Sequence, residues 1–362
     1  LDLLSQPTIA SQAWVVRQYD HEVQGMSTVK PLVGPEGEGN GDAAVLRPLP
    51  DRSEGLTVSC GLAPRYGPLN AYQMTLNAGD EAVRNAVAVG ADPDRIALLD
   101  NFAWGSVDSP EDQGDLVQAA EACRDLALAY GAPFISGKDS LHNEFRTATA
   151  RYSIPPTMLI SALGLIPDVA HTVTSDLKEP TNVLYLLGTT QQAWGGSIWS
   201  ELTGTDGGTV PRVDLETNRR VYAVLHQAIV DGLVRACHDC SEGGLLVALA
   251  EMALAGRRGI RADFATLQRQ QSLPLHAACF AESPGRLVVE VRAADRLKLE
   301  ARFADLPCLA IGQVEPDPRF RLYAPSHGLV FEKPLAELRD AHLSFSRAQG
   351  LKFEGDDPRR EA

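Results

Sequence analysis

Apolar residues along this chain follow two rhythms. Short, nearly continuous runs predict buried strands at Asp42–Leu46, Thr57–Gly61, Ile96–Asp100, Pro133–Ile135, Val183–Gly188 and Leu287–Val291, with strand-like pattern also over Thr157–Val169 and Thr172–Leu177. Segments of helical period lie between them. Tyr72–Val89 places Met74, Ala78, Ala82, Asn85 and Val89 near one stripe, with Gly90 as a C-cap. Ser109 caps the next helix, with Pro110 at its first position, Glu111 and Asp112 in its first turn and Gly131 at its end. A short helix is expected within Ile9–Gln24, and longer ones at Glu216–Arg235, Leu245–Ala255 (capped by Gly256) and Leu335–Leu343.

Strands and helices alternate in both halves, which sets the class as mixed α+β and α/β. The polar, turn-rich stretch Lys178–Asn182 divides the chain. We expect an N-terminal domain over residues 1–178, a C-terminal domain over 179–346, and a charged tail over 347–362.

A net charge of −14 argues against a nucleic-acid partner, which would usually leave a basic footprint. No apolar run reaches membrane-spanning length and no signal-peptide pattern opens the chain. The first residue is Leu1, so a piece of a longer chain is expected. Six cysteines in 362 residues suit a reducing, cytoplasmic setting. The Cys237-His238-Asp239-Cys240 pair lacks the second ligand pair of a zinc site and the thioredoxin-like context of a redox pair. It reads as two small residues at a strand end.

Candidate chemistry gathers at Ser136–Glu144, read as a loop following the Pro133–Ile135 strand. The stretch fails as a P-loop, because Gly131 and Gly137 are one residue too far apart and Asp139 stands where a hydroxyl should hold magnesium. Asp100 closes a buried strand, a common place for a metal or ribose ligand. Glu81, Arg84 and Asn85 share one helix face, and spacing alone favours a solvated salt-bridge surface there. The glycine-rich loops Gly195–Ser197 and Gly204–Gly208 suit turn chemistry as readily as ligand contact.

Several motifs together resemble the synthetase subunits of phosphoribosylformylglycinamidine synthase. They are Tyr19-Asp20-His21-Glu22-Val23-Gln24-Gly25, Asp80-Glu81-Ala82-Val83-Arg84-Asn85 with Val89-Gly90-Ala91, Gly137-Lys138-Asp139-Ser140-Leu141, His238-Asp239-Cys240-Ser241-Glu242-Gly243-Gly244-Leu245 followed by Ala250-Glu251-Met252-Ala253, and Glu282-Ser283-Pro284-Gly285-Arg286. The resemblance implies an AIR synthetase-like two-domain unit, a mixed sheet domain followed by an α/β domain. It covers the second half of such a subunit. The first half, which carries the family's catalytic histidines, has no counterpart, so no catalytic residue is expected in this half.

What the resemblance implies is ATP- and Mg2+-dependent amidation of formylglycinamide ribonucleotide in purine biosynthesis. Ammonia would come from a separate glutaminase partner, and the first half would be fused or separate. Asp100, Gly137 and Lys138 fall at nucleotide contacts and Ser140 at a substrate contact. Asp42, Glu81, Asn85 and Asp239 match the metal ligands of an auxiliary ATP/ADP site that also uses Ser241. Lys138 cannot ligate a metal while protonated, so a phosphate contact suits it better. His21 and His238 match no base role and are read as structural. The rivals are a catalytically silent nucleotide-binding scaffold and another ATP-dependent enzyme of the same superfamily.

Overall fold

In a computed structural model the chain is described at residues 1–205, 207–325 and 328–351. The first sheet is built on Gly55–Leu62 and Thr157–Ile166, antiparallel with Leu62 opposite Leu159 and Gly55 opposite Ile166. Its strand order is Ser27–Val29, Ala44–Leu46, Gly55–Leu62, Thr157–Ile166, Ile96–Ala103, Phe134–Ser140. The last pair is parallel and is joined by the helix Pro110–Tyr130, a βαβ unit. That helix starts where expected, with Ser109 Oγ accepting from the Asp112 amide at 3.0 Å, and stops at Gly131 with φ +67°.

The helix Ala71–Ala88 packs with Pro110–Tyr130 against one face of this sheet. Asn70 caps it by accepting from the Gln73 amide at 2.8 Å. Its approach to Gly55–Leu62 is close enough that a Cβ on Gly61 would lie 2.0 Å from the Ala78 carbonyl oxygen, so that position needs glycine. The opposite sheet face is half-buried or exposed and carries Val58, Leu62, Leu99, Leu159 and Leu163.

The second sheet has the order Val234–Asp239, Leu287–Val291, Val183–Leu187, Cys308–Glu315, Gly259–Asp263, Arg319–Ala324, Gly328–Pro334. Of these pairings, the one between Gly259–Asp263 and Arg319–Ala324 is parallel and the others are antiparallel. Helices Leu215–Val230 and Gly244–Gly256 pack against it, each in a separate apolar cluster. Glu290, fully buried in its second strand, accepts from the Lys178 and Glu179 amides and from Asn182 Nδ2 at 2.8, 3.1 and 2.5 Å. One carboxylate thus fixes the polar segment between the two sheets.

A second buried carboxylate ties the halves together. Asp80, fully buried on Ala71–Ala88, accepts at Oδ1 from Asn218 Nδ2 (2.9 Å), the Tyr222 hydroxyl (2.7 Å) and the Tyr130 hydroxyl. Its Oδ2 accepts from Arg84 Nη1 at 2.6 Å and the Gly285 amide at 3.0 Å. Donors therefore converge from both helices of the first layer, from Leu215–Val230 and from the loop before Leu287–Val291.

The structure departs from the sequence reading in several places. Phe134–Ser140 is one strand, so Ser136–Ser140 is strand rather than loop, held extended by parallel pairing with Leu99–Ala103. Within Ile9–Gln24 the α-helix is only Ala13–Val16, and Thr172–Leu177 forms no strand. The helix expected to reach Arg235 ends at Val230, because the chain must turn to enter the strand Val234–Asp239. Gly256 belongs to its helix and Arg257 takes the left-handed cap position, while the last helix runs on to Ala348. The rest of the charged tail, 352–362, lies outside the described residues.

Removing the Asp80 carboxylate would take the acceptor from Arg84 Nη1 and from four other buried donors, while Arg84 keeps Asp239 and Ser241. Asp80→Ala is expected to cost about 3–5 kcal/mol in urea unfolding, the range for breaking a buried ion pair. A midpoint unchanged from wild type would show that Asp80 does not hold the halves together.

Candidate functional site

An oxygen-rich cluster forms where the end of Val234–Asp239 meets the helix Ala71–Ala88. Glu81 and Asn85, one turn apart, face the strand Gly55–Leu62. Glu81 Oε2 accepts from the Leu62 amide at 2.8 Å, and Asn85 Nδ2 donates to the Cys60 carbonyl at 3.2 Å. Asn85 Oδ1 is then left buried without a partner. Asp42 approaches from the other side: its Oδ1 accepts from His238 Nδ1 at 2.8 Å and from the Asp239 amide at 3.0 Å, while Oδ2 is buried without a partner. One ligand atom each from Asp42, His238 and Asp239 lie within 4.8 Å of one another.

Asp239 Oδ2 accepts from Arg84 at 2.9 and 3.3 Å. The Ser241 hydroxyl lies 2.6 Å from Asp239 Oδ2 and 3.1 Å from Glu81 Oε1, its single proton serving one at a time, and it accepts from Arg84 Nη2 at 3.2 Å. Arg84 is 3% exposed, so the trio Glu81, Arg84, Asn85 is no solvated surface. Its guanidinium bridges Asp80, one turn back on the same helix, to Asp239. A cleft opens beside the cluster, lined in part by Arg65, Tyr66, Glu81, Ser241, Glu242 and Glu282.

Negative charge is crowded here. Burial, then the Glu242 and Asp239 charges, push the Glu81 carboxyl up to about 8. Burial and the charge of Glu282 push Glu242 up to about 7; burial does the same for Glu282, against the amides of Gly243 and Ile198 that donate to it. Burial raises Asp42 as well, although His238 opposes it. For Asp239 burial is outweighed by Arg84, His238 and the Ser241 hydrogen bond, and the carboxyl is held below its ordinary value. His238, against the penalty of burial, is raised by Asp42 and Glu251.

A second group lies across the strand Thr157–Ile166 from Gly55–Leu62, at the parallel edge of the first sheet. Asp100 and Gly137 are paired across the two parallel strands, and a Cβ on Gly137 would sit 2.2 Å from Asp100 Oδ1. Burial and the charge of Asp139 raise the Asp100 carboxyl, against a hydrogen bond from the Lys138 amide. Lys138 Nζ donates to the Ser140 hydroxyl, and Gly137, Lys138 and Asp139 are exposed. The carboxyl ends of parallel strands in a βαβ unit are where such sheets commonly take ligands.

The structure thus brings together Asp42, Glu81, Asn85, Asp239 and Ser241, and separately Asp100, Gly137, Lys138 and Ser140. Sequence reasoning missed Arg84, Glu242, Glu251 and Glu282 as parts of the first group and set His238 aside. The signal available was their position inside the quoted motifs. His21, by contrast, sits at a partly exposed turn, 3.6 Å from Glu22. Cys237 and Cys240 are buried free thiols.

Residues 40–166 match the family model for the N-terminal domain of AIR synthase related proteins, and residues 179–325 match the model for their C-terminal domain. The chain belongs to the AIR synthase related family. It is 38% identical over 352 residues to the phosphoribosylformylglycinamidine synthase subunit PurL of Streptomyces avermitilis, covering 94% of this chain and 43% of that protein. The PurL of Thermococcus sibiricus is 35% identical over 314 residues, covering 87% and 41%. The chain therefore spans less than half the length of these curated relatives. In fold it is similar to Thermotoga maritima PurL solved in complex with FGAR, at TM-score 0.70 and 18% identity, over 93% of this chain and 52% of that one. Escherichia coli HypE, a hydrogenase maturation protein, shares the fold at TM-score 0.55 and 17% identity, over 77% and 84%. Among the described residues, no helix is long and apolar enough to cross a membrane.

Glu81, Glu242 and Glu282 bind their protons more tightly in the fold than in the unfolded chain, where 4.5 is ordinary. The fold therefore holds surplus protons above that value, and stability falls as pH climbs toward the raised values. His238 acts in the same direction, its contribution complete below 6.5 and lost as pH rises through its folded value. Asp239 acts oppositely only near and below its ordinary 3.8, and His342, pushed down by burial, opposes the others in part as pH rises toward 6.5. Without divalent cations, the melting temperature is expected to decline from about pH 5 to about pH 8, and Glu242→Gln should flatten part of that slope. A melting temperature rising across this range would contradict the assignment.

Proposed function

We propose that the chain is the second half of a phosphoribosylformylglycinamidine synthase subunit, acting in the ATP-dependent amidation of formylglycinamide ribonucleotide. The observation that carries this reading is the 35–38% identity to such subunits along most of the chain. Fold alone is insufficient, since HypE has it too. In the proposed reaction ATP phosphorylates the formamide oxygen, making a poor leaving group into a good one, and ammonia then displaces phosphate. Asp100, Gly137 and Lys138 face the nucleotide in this reading and Ser140 the substrate. Lys138, already donating to Ser140, suits a phosphate oxygen. The parts absent from this chain would be a first half and a glutaminase supplying ammonia. The partly exposed apolar sheet face with Val58, Leu62, Leu159 and Leu163 suits docking of that first half.

Asp42, Glu81, Asn85 and Asp239 would hold magnesium at an auxiliary nucleotide site, with Ser241 beside the nucleotide. The donors fit: all are hard oxygens, and two of them, Asp42 Oδ2 and Asn85 Oδ1, are buried without any other partner. When bound, magnesium would neutralise phosphate charge in a region where carboxylates otherwise crowd one another. The protein's own part is to hold the oxygens in place and to offset Asp239 with Arg84.

Purified with a matching first half and given ammonia, ATP and formylglycinamide ribonucleotide, the chain is expected to restore amidine formation, while alone it gives none. Turnover by the isolated chain, or none with the first half, would overturn the reading. Glu81→Gln and Asp239→Asn are each expected to lower magnesium-dependent retention of ADP by at least about tenfold, read by equilibrium dialysis. Gly137→Ala should displace Asp100 and lower reconstituted activity while leaving that retention intact; unchanged activity would argue against Asp100 as a nucleotide contact.

A further inference from the structure

His238 is the one imidazole in the oxygen cluster among the described residues, and its surroundings define what it does. Both ring nitrogens are engaged with carboxylate oxygens: Nδ1 with Asp42 Oδ1 at 2.8 Å and Nε2 with Glu251 Oε2 at 3.2 Å. Neither is left to bind a cation. The consequence falls on Asp42, whose two oxygens are divided in role. Oδ1 is held twice, by the ring and by the Asp239 amide at 3.0 Å, and Oδ2 is buried without a partner. Glu251 comes from the helix Gly244–Gly256, so the row Glu251, His238, Asp42 runs from that helix through the end of Val234–Asp239 to the loop before Ala44–Leu46. A ring with donors on opposite sides spans two carboxylates as no other side chain of its size can.

We infer that His238, braced by Glu251, is a positioning residue that aims Asp42 Oδ2 at a divalent cation bound only by oxygen atoms. This rests on the reading of Asp42, Glu81, Asn85 and Asp239 as a metal site and adds its donor chemistry and selectivity. With imidazole excluded from the donor set, the site lacks the nitrogen ligand that Zn2+ sites commonly use, and its hard oxygens suit Mg2+ and Mn2+. Residues that orient a ligand from outside typically change metal affinity about 10- to 100-fold when replaced.

The probe is Mn2+ in the presence of ADP, followed by electron paramagnetic resonance on the full chain. In the wild type, bound Mn2+ is expected to show no coupling to a ring nitrogen in pulsed spectra. His238→Leu is expected to weaken Mn2+ binding about 10- to 100-fold, and Glu251→Gln, which keeps the shape of the pocket if the first variant does not fold, to give a smaller loss in the same direction. Nitrogen coupling in the wild type that disappears in His238→Leu would make His238 a ligand and overturn the inference. Unchanged Mn2+ affinity in a folded variant would overturn it too. Wild-type protein that binds no Mn2+ with ADP would instead overturn the site reading on which the inference stands, and Asp42→Asn identifies that case by having nothing to lose.

Discussion

The Asp80 carboxylate is the constraint on which the arrangement of this molecule depends. It is wholly buried, and a buried charge is tolerated only when its lone pairs are met. Five donors meet them, and they come from both halves of the chain. Tyr130, Asn218, Tyr222 and the Gly285 amide can converge on one carboxylate only if the two sheets stand in one relative position. Apolar contact between layers is non-directional and would accept small slides; charge-assisted hydrogen bonds to a fixed carboxylate do not.

Arg84 carries that constraint into the site. One arm of its guanidinium is fixed by Asp80, and the other holds Asp239 and touches Ser241. The planar fork of arginine suits this role where a lysine would reach only one point. Around it Glu81, Glu242, Glu282 and Asp42 are all pushed toward holding protons, first by burial and, at Glu81, Glu242 and Asp42, also by neighbouring carboxylates. Arg84 and His238 offset part of the excess. A divalent cation at the two unpartnered oxygens would offset more, which is why the proposed magnesium site and the domain contact belong to one electrostatic unit.

Small residues set the other distances. Gly61 lets the helix bearing Glu81 and Asn85 come down onto the strand, and Gly137 leaves room for the Asp100 carboxylate between parallel neighbours. In both places a single methyl group would occupy space that a functional oxygen or its supporting backbone now takes. The geometry of each candidate site is therefore set as much by the absence of a side chain as by the acids themselves.

The sequence by itself determined the local elements whose signals are local. The helix Pro110–Tyr130 is written in Ser109, Pro110 and Gly131, and the strand Leu287–Val291 in a run apolar at every position but Glu290. It also carried the family resemblance, because motif residues keep their identity whatever surrounds them. Only the tertiary structure decided the rest. Ser136–Ser140 reads as a loop because its residues are small or polar, yet edge pairing with Leu99–Ala103 holds it as strand. Arg84 reads as a surface charge because its helix neighbours are acidic, and its burial follows from Asp239, 155 positions away. His238 reads only as structural because neither Asp42 nor Glu251 can be assigned to it by spacing. Hydrogen bonds and charge act through space over a few ångströms, and chain separation says nothing about which groups folding brings that close.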